Sequence, residues 1–412
     1  MEGHLSFSAF KGKRIHLGVT GSVAAYKVCD IVRAWLKQGI HVSATLSQGA
    51  SQFITPLTFQ ALGALPVYAP LFSGEDVFAH LEAGQNAGVF VIAPATADSL
   101  CRLAHGAAND MLAAQCLAFN GALVLAPAMN PRMWAHPATQ SNVSLLQERG
   151  AHFVLPAVGS TACGDTGQGK LADVREIYCA ALRALAPQDM QGKTVLVTLG
   201  PTREAWDGVR YWTNPSTGTM GASLAVAAYL RGAQVHAVCG AQVHAVCGAG
   251  TPWLPQGIAR HTVTSAQEMF AAADALWDTA DIGIFTAAVA DFSPVPFGAE
   301  KFKKDGASAG FSIQFTPNPD ILRTLSLRRK PQQKVLGFAA ETAQNLAACV
   351  HTKLERKKAH IIVGNRVNEA GSGFGSSTNS VLVADCTGRE ETWPLQSKAD
   401  VAWGLCTWLL SL

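Results

Sequence analysis

Short apolar-rich runs recur along the chain, and between them apolar positions return at the spacing of a helix face. Ile15–Val19, Val42–Leu46, Val89–Ala93 and Leu123–Ala126 read as buried strands. Between the first two, Ala24–Leu36 has apolar residues at helical spacing. This alternation is βαβ logic and predicts a parallel sheet with helices on both faces. The pattern then restarts. Gly12-Lys13-Arg14-Ile15 opens the first series and Gly192-Lys193-Thr194-Val195 opens a second. The second series continues through Thr194–Thr198, Ile282–Thr286, Val335–Ala339, Ile361–Val363 and Val381–Ala384. Ala184–Gln191, with Pro187 and polar residues, reads as a linker. The expectation is two doubly wound, Rossmann-like α/β domains, residues 1–188 and 189–412.

An octapeptide interrupts this regularity. Gly232–Cys239 reads GAQVHAVC, and Gly240–Cys247 repeats it without change. The repeat length is even, so either copy presents the same faces to the two sides of a sheet. Only one copy can be the native strand. The second is favoured here, with downstream sequence setting its register.

Composition narrows the class. Apolar residues make up 49% of the chain and charged residues 15%, which suits large sheets buried under helices. A net charge of +3 is too small to argue for nucleic acid or an anionic membrane as partner. The 10 cysteines never form Cys-x-x-Cys, against structural zinc and thioredoxin-type redox chemistry, and no metal site is expected. There is no signal-peptide pattern and no apolar run long enough to span a membrane. A soluble protein of the reducing cytosol is the expectation.

Three strings in the first half carry chemistry. Pro127-Ala128-Met129-Asn130 ends an apolar run, Ala162-Cys163-Gly164-Asp165 lies in a Gly-rich loop, and Ala79-His80-Leu81-Glu82 lies upstream. Taken singly, His80 reads as a satisfied histidine, Asn130 as a turn residue and a lone cysteine as an apolar filler. Gly164 and Asp165 argue against burial of Cys163, and a thiol, an amide and an imidazole together make a candidate active site. So few reactive atoms point to a cofactor for the hard chemistry. Gly18–Lys27 reads as strand, glycine turn and helix start, which presents N–H groups to an anion. It lacks the Gly-x-Gly-x-x-Gly fingerprint, and the second strand ends at Leu46-Ser47 without an acid to grip an NAD ribose. A mononucleotide phosphate fits better; an ordinary βα turn is the alternative. Gly164–Lys170 nearly spells a P-loop, but Leu171 stands where the hydroxyl belongs and no clear strand precedes it. It reads as a mobile Gly-rich flap bearing Cys163.

In the second half, Gly200-Pro201-Thr202-Arg203-Glu204 follows a strand, with Arg210 and Asn214 beyond. Pro215–Gly221 opens an Ala-rich helix with hydroxyls and glycines that suit a phosphate or acyl-phosphate group. Asp291, after Thr286–Ala290, suits a ribose or a metal. Lys301 begins the basic stretch Lys301-Phe302-Lys303-Lys304, suited to charge developing at an α-phosphate. A solvated loop is the alternative.

Taken in order, these residues resemble the bifunctional bacterial phosphopantothenoylcysteine decarboxylase / phosphopantothenate–cysteine ligase family of coenzyme A biosynthesis. The resemblance spans roughly residues 12–410. It rests on Gly18–Lys27, His80, Ala93–Thr96, Pro127–Asn130 and Ala162–Asp165, then on Gly200–Glu204, Asn214, Ala287–Asp291, Glu300-Lys301, Asn318–Asp320, Gly337–Thr342, Lys353 and Lys357. It implies a flavodoxin-like first domain, residues 1–188, that uses FMN to oxidise 4'-phosphopantothenoylcysteine at its thiol carbon. The resulting thioaldehyde loses CO₂ to an enethiol, which is reduced to 4'-phosphopantetheine. Carried over, His80 is the base or orienting group, Asn130 holds the substrate carboxylate and Cys163 protonates the enethiol. Gly18, Gly21, Ser22, Ser47, Thr96 and Met129 fall at cofactor-binding positions. The second domain, residues 189–412, is implied to activate 4'-phosphopantothenate with CTP and Mg²⁺ as an acyl-cytidylate, which cysteine then attacks. Asn214 matches the residue that contacts this intermediate and Lys301 the one needed to form it. Ala287, Asp291, Asn318, Pro319, Asp320, Ile321, Phe338, Lys353 and Lys357 match nucleotide-binding positions.

The resemblance further implies a cytoplasmic homo-oligomer, with trimer-based flavin domains and dimeric ligase domains. Two departures bear on the ligase half. Thr219 stands where the family's Ser-Ser-Gly-Lys-Met-Gly loop has lysine, and the loop after the duplicated octapeptide reads Cys247-Gly248-Ala249-Gly250. A decarboxylase with an impaired ligase half, a flavin-binding regulator and an NAD-linked oxidoreductase are the competing readings.

Overall fold

The computed structural model describes residues 1–68, 78–241, 252–303, 311–341, 345–366, 371–373 and 375–412. The second octapeptide beyond Ala241, the Cys247–Gly250 loop, Lys304 and Thr342 lie outside them. The chain divides into two compact units, Ser8–Pro187 and Gln188–Leu412, with Glu2–Phe7 packed into the second.

The first unit is built on β1 (Arg14–Val19), β2 (His41–Leu46), β3 (Val67–Tyr68), β4 (Val89–Ala95), β5 (Ala122–Pro127) and β6 (His152–Phe153). These form one parallel sheet in the order β3-β2-β1-β4-β5-β6, the doubly wound α/β arrangement expected. Every residue of β4 is buried, as a strand covered on both faces requires. The strand order reverses between β1 and β4, which opens a crevice beyond their carboxyl ends where α/β sheets bind ligands. The predicted helix Ala24–Leu36 divides in two. A 3₁₀ segment, Val23–Lys27, precedes the α-helix Val28–Lys37, because Ser22 caps the first turn through Ala24 N.

The predicted flap is a hairpin. β7 (Ala157–Ser160) pairs antiparallel with β8 (Thr166–Lys170), and Cys163 sits in the turn between them. β7 escapes prediction because it is short and Val158 is exposed rather than buried. The glycines serve packing. A Cβ at Gly169 would stand 2.4 Å from the Met129 carbonyl oxygen, so only glycine lets β8 lie on the Met129–Pro131 backbone. Met129 N donates to Gly169 O at 2.9 Å in that contact.

The second unit carries β9 (Thr194–Leu199), β10 (Arg203–Ala205), β11 (Tyr211–Thr213), β12 (Gln234–Cys239), β13 (Ala259–Thr262) and β14 (Ile282–Phe285). It continues with β15 (Phe292–Pro294), β16 (Phe315–Pro317), β17 (Lys334–Glu341), β18 (Ile361–Arg366), β19 (Thr378–Asp385) and β20 (Glu390–Ser397). Its main sheet runs β13-β12-β9-β14-β17-β18-β19-β20, parallel up to β18 and antiparallel beyond. The hairpins β10–β11 and β15–β16 stand apart from it. β12 is the first octapeptide copy, not the second as the sequence suggested. The helix Thr219–Leu230 ends three residues before it, and the turn through Gly232 at φ 101° feeds the first copy directly into register with β9.

Candidate active sites

In the first unit the loops after β1, β2 and β4 meet at the crevice. A Cβ on Gly21 would lie 3.1 Å from the Gly49 backbone, so the two loops touch main chain to main chain. Ser47 N donates to Val19 O at 3.0 Å, and Ser47 Oγ accepts from Ala50 N at 3.2 Å. Buried Thr20 donates to Pro94 O at 2.7 Å and accepts from Thr96 N at 3.0 Å, tying the β1 loop to the β4 loop. Thr96 caps the helix Ala97–His105 through Ser99 N. Gly18 falls inside β1 rather than in the loop. A Cβ there would meet Leu112, Ile92 and Phe90, so its glycine makes room for core side chains instead of a phosphate.

The hairpin turn brings the amide to the thiol. Asn130 caps the short helix Pro131–Ala135 through Arg132 N at 2.8 Å. Its Nδ2 donates to Asp165 Oδ2 at 2.7 Å and to Cys163 Sγ at 3.1 Å. The Cys163 thiol is exposed, and its pKa is lowered by the Thr161 hydroxyl at 3.1 Å, then by the Asp165 backbone and the Asn130 amide. Hydrogen bonds to the charged form of a thiol favour its release of a proton.

His80 stands in the first turn of the helix Ala79–Asn86, half-buried. Among the described residues no hydrogen bond joins it to Asn130 or Cys163. A buried polar chain seats that turn instead. His16 on β1 bonds Ser43 Oγ at 2.7 Å and Thr45 Oγ1 at 2.9 Å, Thr45 donates to Gln115, and Gln115 Nε2 donates to Ala79 O at 3.0 Å. Burial pushes His16 down to about 3, so its imidazole stays neutral.

In the second unit a cavity of about 860 Å³ opens over the ends of β9, β14 and β17. Asn214, Ala287, Asp291, Asn318, Pro319, Asp320, Ile321, Phe338, Lys353 and Lys357 all line it. Hydrogen bonds fix its floor. Asn214 Nδ2 donates to the carbonyls of Ala288 and Val289, both at 3.2 Å, and Asn318 Nδ2 to Ala290 O at 2.8 Å. Ser216, Thr217 and Thr219 form a neutral hydroxyl-bearing wall at the start of the helix Thr219–Leu230. The helix Leu346–Lys357 supplies Lys353, Arg356 and Lys357, the last paired with Asp320.

Lys301 does not line this cavity. It is exposed, on a segment whose next residue is held from below: Asp207, itself buried, accepts from Phe302 N at 3.1 Å and from Arg210 N at 2.6 Å. Two lining residues carry charge that sequence reasoning missed. Arg356 lies in the basic cluster Lys353–Lys358, which as a whole suits a phosphate-bearing ligand but within which nothing in the sequence singles it out. Lys398 starts the last helix and is 4% exposed, a burial that only the folded chain reveals.

Comparison with known proteins matches both units. The Flavoprotein family model matches residues 7–185, and the model of the DNA/pantothenate metabolism flavoprotein C-terminal domain matches residues 190–412. The chain is 39% identical over 390 residues to the coenzyme A biosynthesis bifunctional protein CoaBC of Vibrio vulnificus strain CMCP6, covering 94% of this chain and 95% of that one. It is 37% identical over 396 residues to the CoaBC protein of Bacillus subtilis strain 168, covering 95% of each. The crystal structure of a CoaBC C-terminal domain matches at 32% identity and a TM-score of 0.43, over 54% of this chain and 95% of that one. No helix among the described residues is long and apolar enough to cross a membrane. With identity sustained across both flavoprotein and ligase halves, the chain belongs to the CoaBC family of bifunctional enzymes of coenzyme A biosynthesis.

Proposed function

We propose that the second unit ligates cysteine to 4'-phosphopantothenate at the expense of CTP, and that the first unit decarboxylates the product with FMN. The observation that carries this reading is the 860 Å³ cavity, which joins a neutral hydroxyl loop and a basic helix in one space. An acyl phosphate and a nucleotide triphosphate need such a pairing of donors and cations. In this reading Lys353 and Lys357 hold the triphosphate, while Asp291 and Phe338 hold the nucleoside. Asn214 keeps the loop Ala287–Asp291 in place against the acyl-cytidylate. Mg²⁺ travels on the triphosphate, so the protein needs no carboxylate cage. Lys301 reaches the α-phosphate from its exposed segment.

The crevice beyond β1 and β4 suits FMN, because the loops that meet there offer backbone groups, hydroxyls and small residues. Gly21, Ser22, Ser47 and Thr96 would hold the phosphate and ribityl chain, and Met129 would border the ring. Bound there, the flavin supplies the two-electron oxidation of the substrate's thiol carbon and the later return of those electrons. Asn130 orients the carboxylate that leaves as CO₂. Cys163 delivers a proton from the hairpin turn, a step that a lowered thiol pKa assists. His80 acts as the base or orienting group from its helix turn. Exposed Tyr211, Trp212, Phe292 and Phe315 support self-association of the ligase half.

The test is a coupled assay of the full chain with CTP, cysteine, 4'-phosphopantothenate, Mg²⁺ and FMN, followed for pyrophosphate and CO₂. Both should appear, and CO₂ should require CTP and cysteine. Absence of pyrophosphate overturns the ligase half, and absence of CO₂ when 4'-phosphopantothenoylcysteine is supplied directly overturns the decarboxylase half.

A further inference from the structure

Lys398 is a buried ammonium on the cavity wall, and among the described residues no carboxylate pairs with it. Its Nζ donates to the Gly373 carbonyl at 3.1 Å, and among the described residues it forms no salt bridge. Asp400, the nearest acid along the chain, is turned to Ser397, accepting its hydroxyl at 2.7 Å. An ammonium has three donors, so the one carbonyl it meets among the described residues leaves two to be satisfied. Burying a charge without a partner is costly, and chains seldom keep one without use for it.

The position of this charge is informative. Gly373 N donates to Asn379 Oδ1 at 3.3 Å, and Asn379 Nδ2 reaches Met220 Sδ at 3.8 Å. Lys398, Gly373, Asn379 and Met220 all line the cavity. The chain therefore links Lys398 to the hydroxyl loop before Gly221, not to the basic helix Leu346–Lys357. In that loop position 219 is threonine, whose hydroxyl bonds Thr217 at 2.9 Å and contributes no charge. Among the described residues, the hydroxyl side of the cavity thus has one buried cation, brought in from a distant helix.

We infer that Lys398 binds the phosphate monoester of the acyl substrate, supplying at the hydroxyl loop the positive charge that Thr219 lacks. This rests on the ligase reading of the cavity. The phosphate dianion would take the two remaining N–H donors and give the buried ammonium its counter-charge. Burial alone lowers the Lys398 pKa to about 8, which leaves the side chain mostly charged at neutral pH and ready to respond to an anion.

The experiment is calorimetric titration of full-length wild type, Lys398→Met and Lys398→Arg with 4'-phosphopantothenate, pantothenate and MgCTP. Wild type should prefer 4'-phosphopantothenate over pantothenate. In Lys398→Met that preference should fall at least tenfold, with MgCTP affinity changed less than twofold, and Lys398→Arg should restore part of it. An unchanged preference in Lys398→Met overturns the inference. Parallel loss of all three ligands also overturns it, because Lys398 then only holds the Gly373 loop. Failure of wild type to bind MgCTP sinks the ligase reading instead.

Discussion

Asn130 Nδ2 donates to Cys163 Sγ at 3.1 Å, joining the end of β5 to a hairpin turn 33 positions away. The same amide holds Asp165, so one side chain helps to place the thiol and adds to the lowering of its pKa that the Thr161 hydroxyl leads. Replacing Cys163 with serine should leave flavin bound and lower formation of the reduced 4'-phosphopantetheine product about 10²–10⁴-fold, the usual range for a positioned acid, with the enethiol left by CO₂ loss accumulating instead. Replacing Asn130 with alanine removes a donor that favours the thiolate, so the Cys163 pKa should rise. Site-resolved alkylation with iodoacetamide checks this: the pH profile for Cys163 should move upward, and an unmoved profile contradicts the assignment.

Gly169→Ala should unseat the hairpin. The added Cβ would sit 2.4 Å from the Met129 carbonyl oxygen, so the backbone must shift. Overpacking of this kind costs about 1–3 kcal/mol. CO₂ release should fall while pyrophosphate release stays as in wild type, and limited proteolysis should cut within Ser160–Thr166 sooner.

The alternation of apolar runs made both sheets legible, because doubly wound sheets bury whole strands and leave a strong local signal. Of the residues the ordered motifs name, Asn130 and Cys163 meet in the fold and ten line the one cavity of the second unit described above. Other features depend on distant partners. Gly18 looked like part of a phosphate loop, and only the neighbouring Leu112 and Phe90 show that it serves packing. β7 was invisible because its side chains are half exposed and its partner, β8, was hidden in a near P-loop. Lys398 gave no signal, since its burial arises from the last helix docking beside Gly373.

The neutral His16 makes the first unit acid-sensitive. Its folded pKa is about 3, below the unfolded value near 6.5, so between those values the unfolded chain binds more protons. Stability is therefore complete above about pH 6.5 and is lost as pH falls toward 3. Acidification from pH 6.5 to 5 should cost about 1.5 kcal/mol from this group. Urea unfolding across that range measures it, and His16→Gln should flatten the acid limb. Release of the Thr45–Gln115 chain should also loosen the helix turn that carries His80.

Lys301→Gln should abolish pyrophosphate release while leaving MgCTP bound. Asp207→Asn should act through position rather than chemistry, because Asp207 holds Phe302 N and the Arg210 amide and guanidinium. Its kcat should fall at least tenfold with KM for CTP nearly unchanged. A rise in KM alone would place Asp207 in nucleotide binding instead.

The charge on Lys398 should weaken the substrate-free enzyme. Its folded pKa is about 8, against an unfolded value near 10.4, so folding disfavours the charged form. Between those values the unfolded chain binds more protons, and stability should climb as pH rises from about 8 to 10.4. Below pH 8 the full penalty applies, on the order of 3 kcal/mol. Lys398→Met removes it, so the ligase half of this variant should unfold at higher denaturant than wild type at pH 7. The two midpoints should converge toward pH 10, and saturating 4'-phosphopantothenate should protect wild type more than the variant. A variant less stable than wild type at pH 7 would mean that the bond to Gly373 outweighs the burial of the charge.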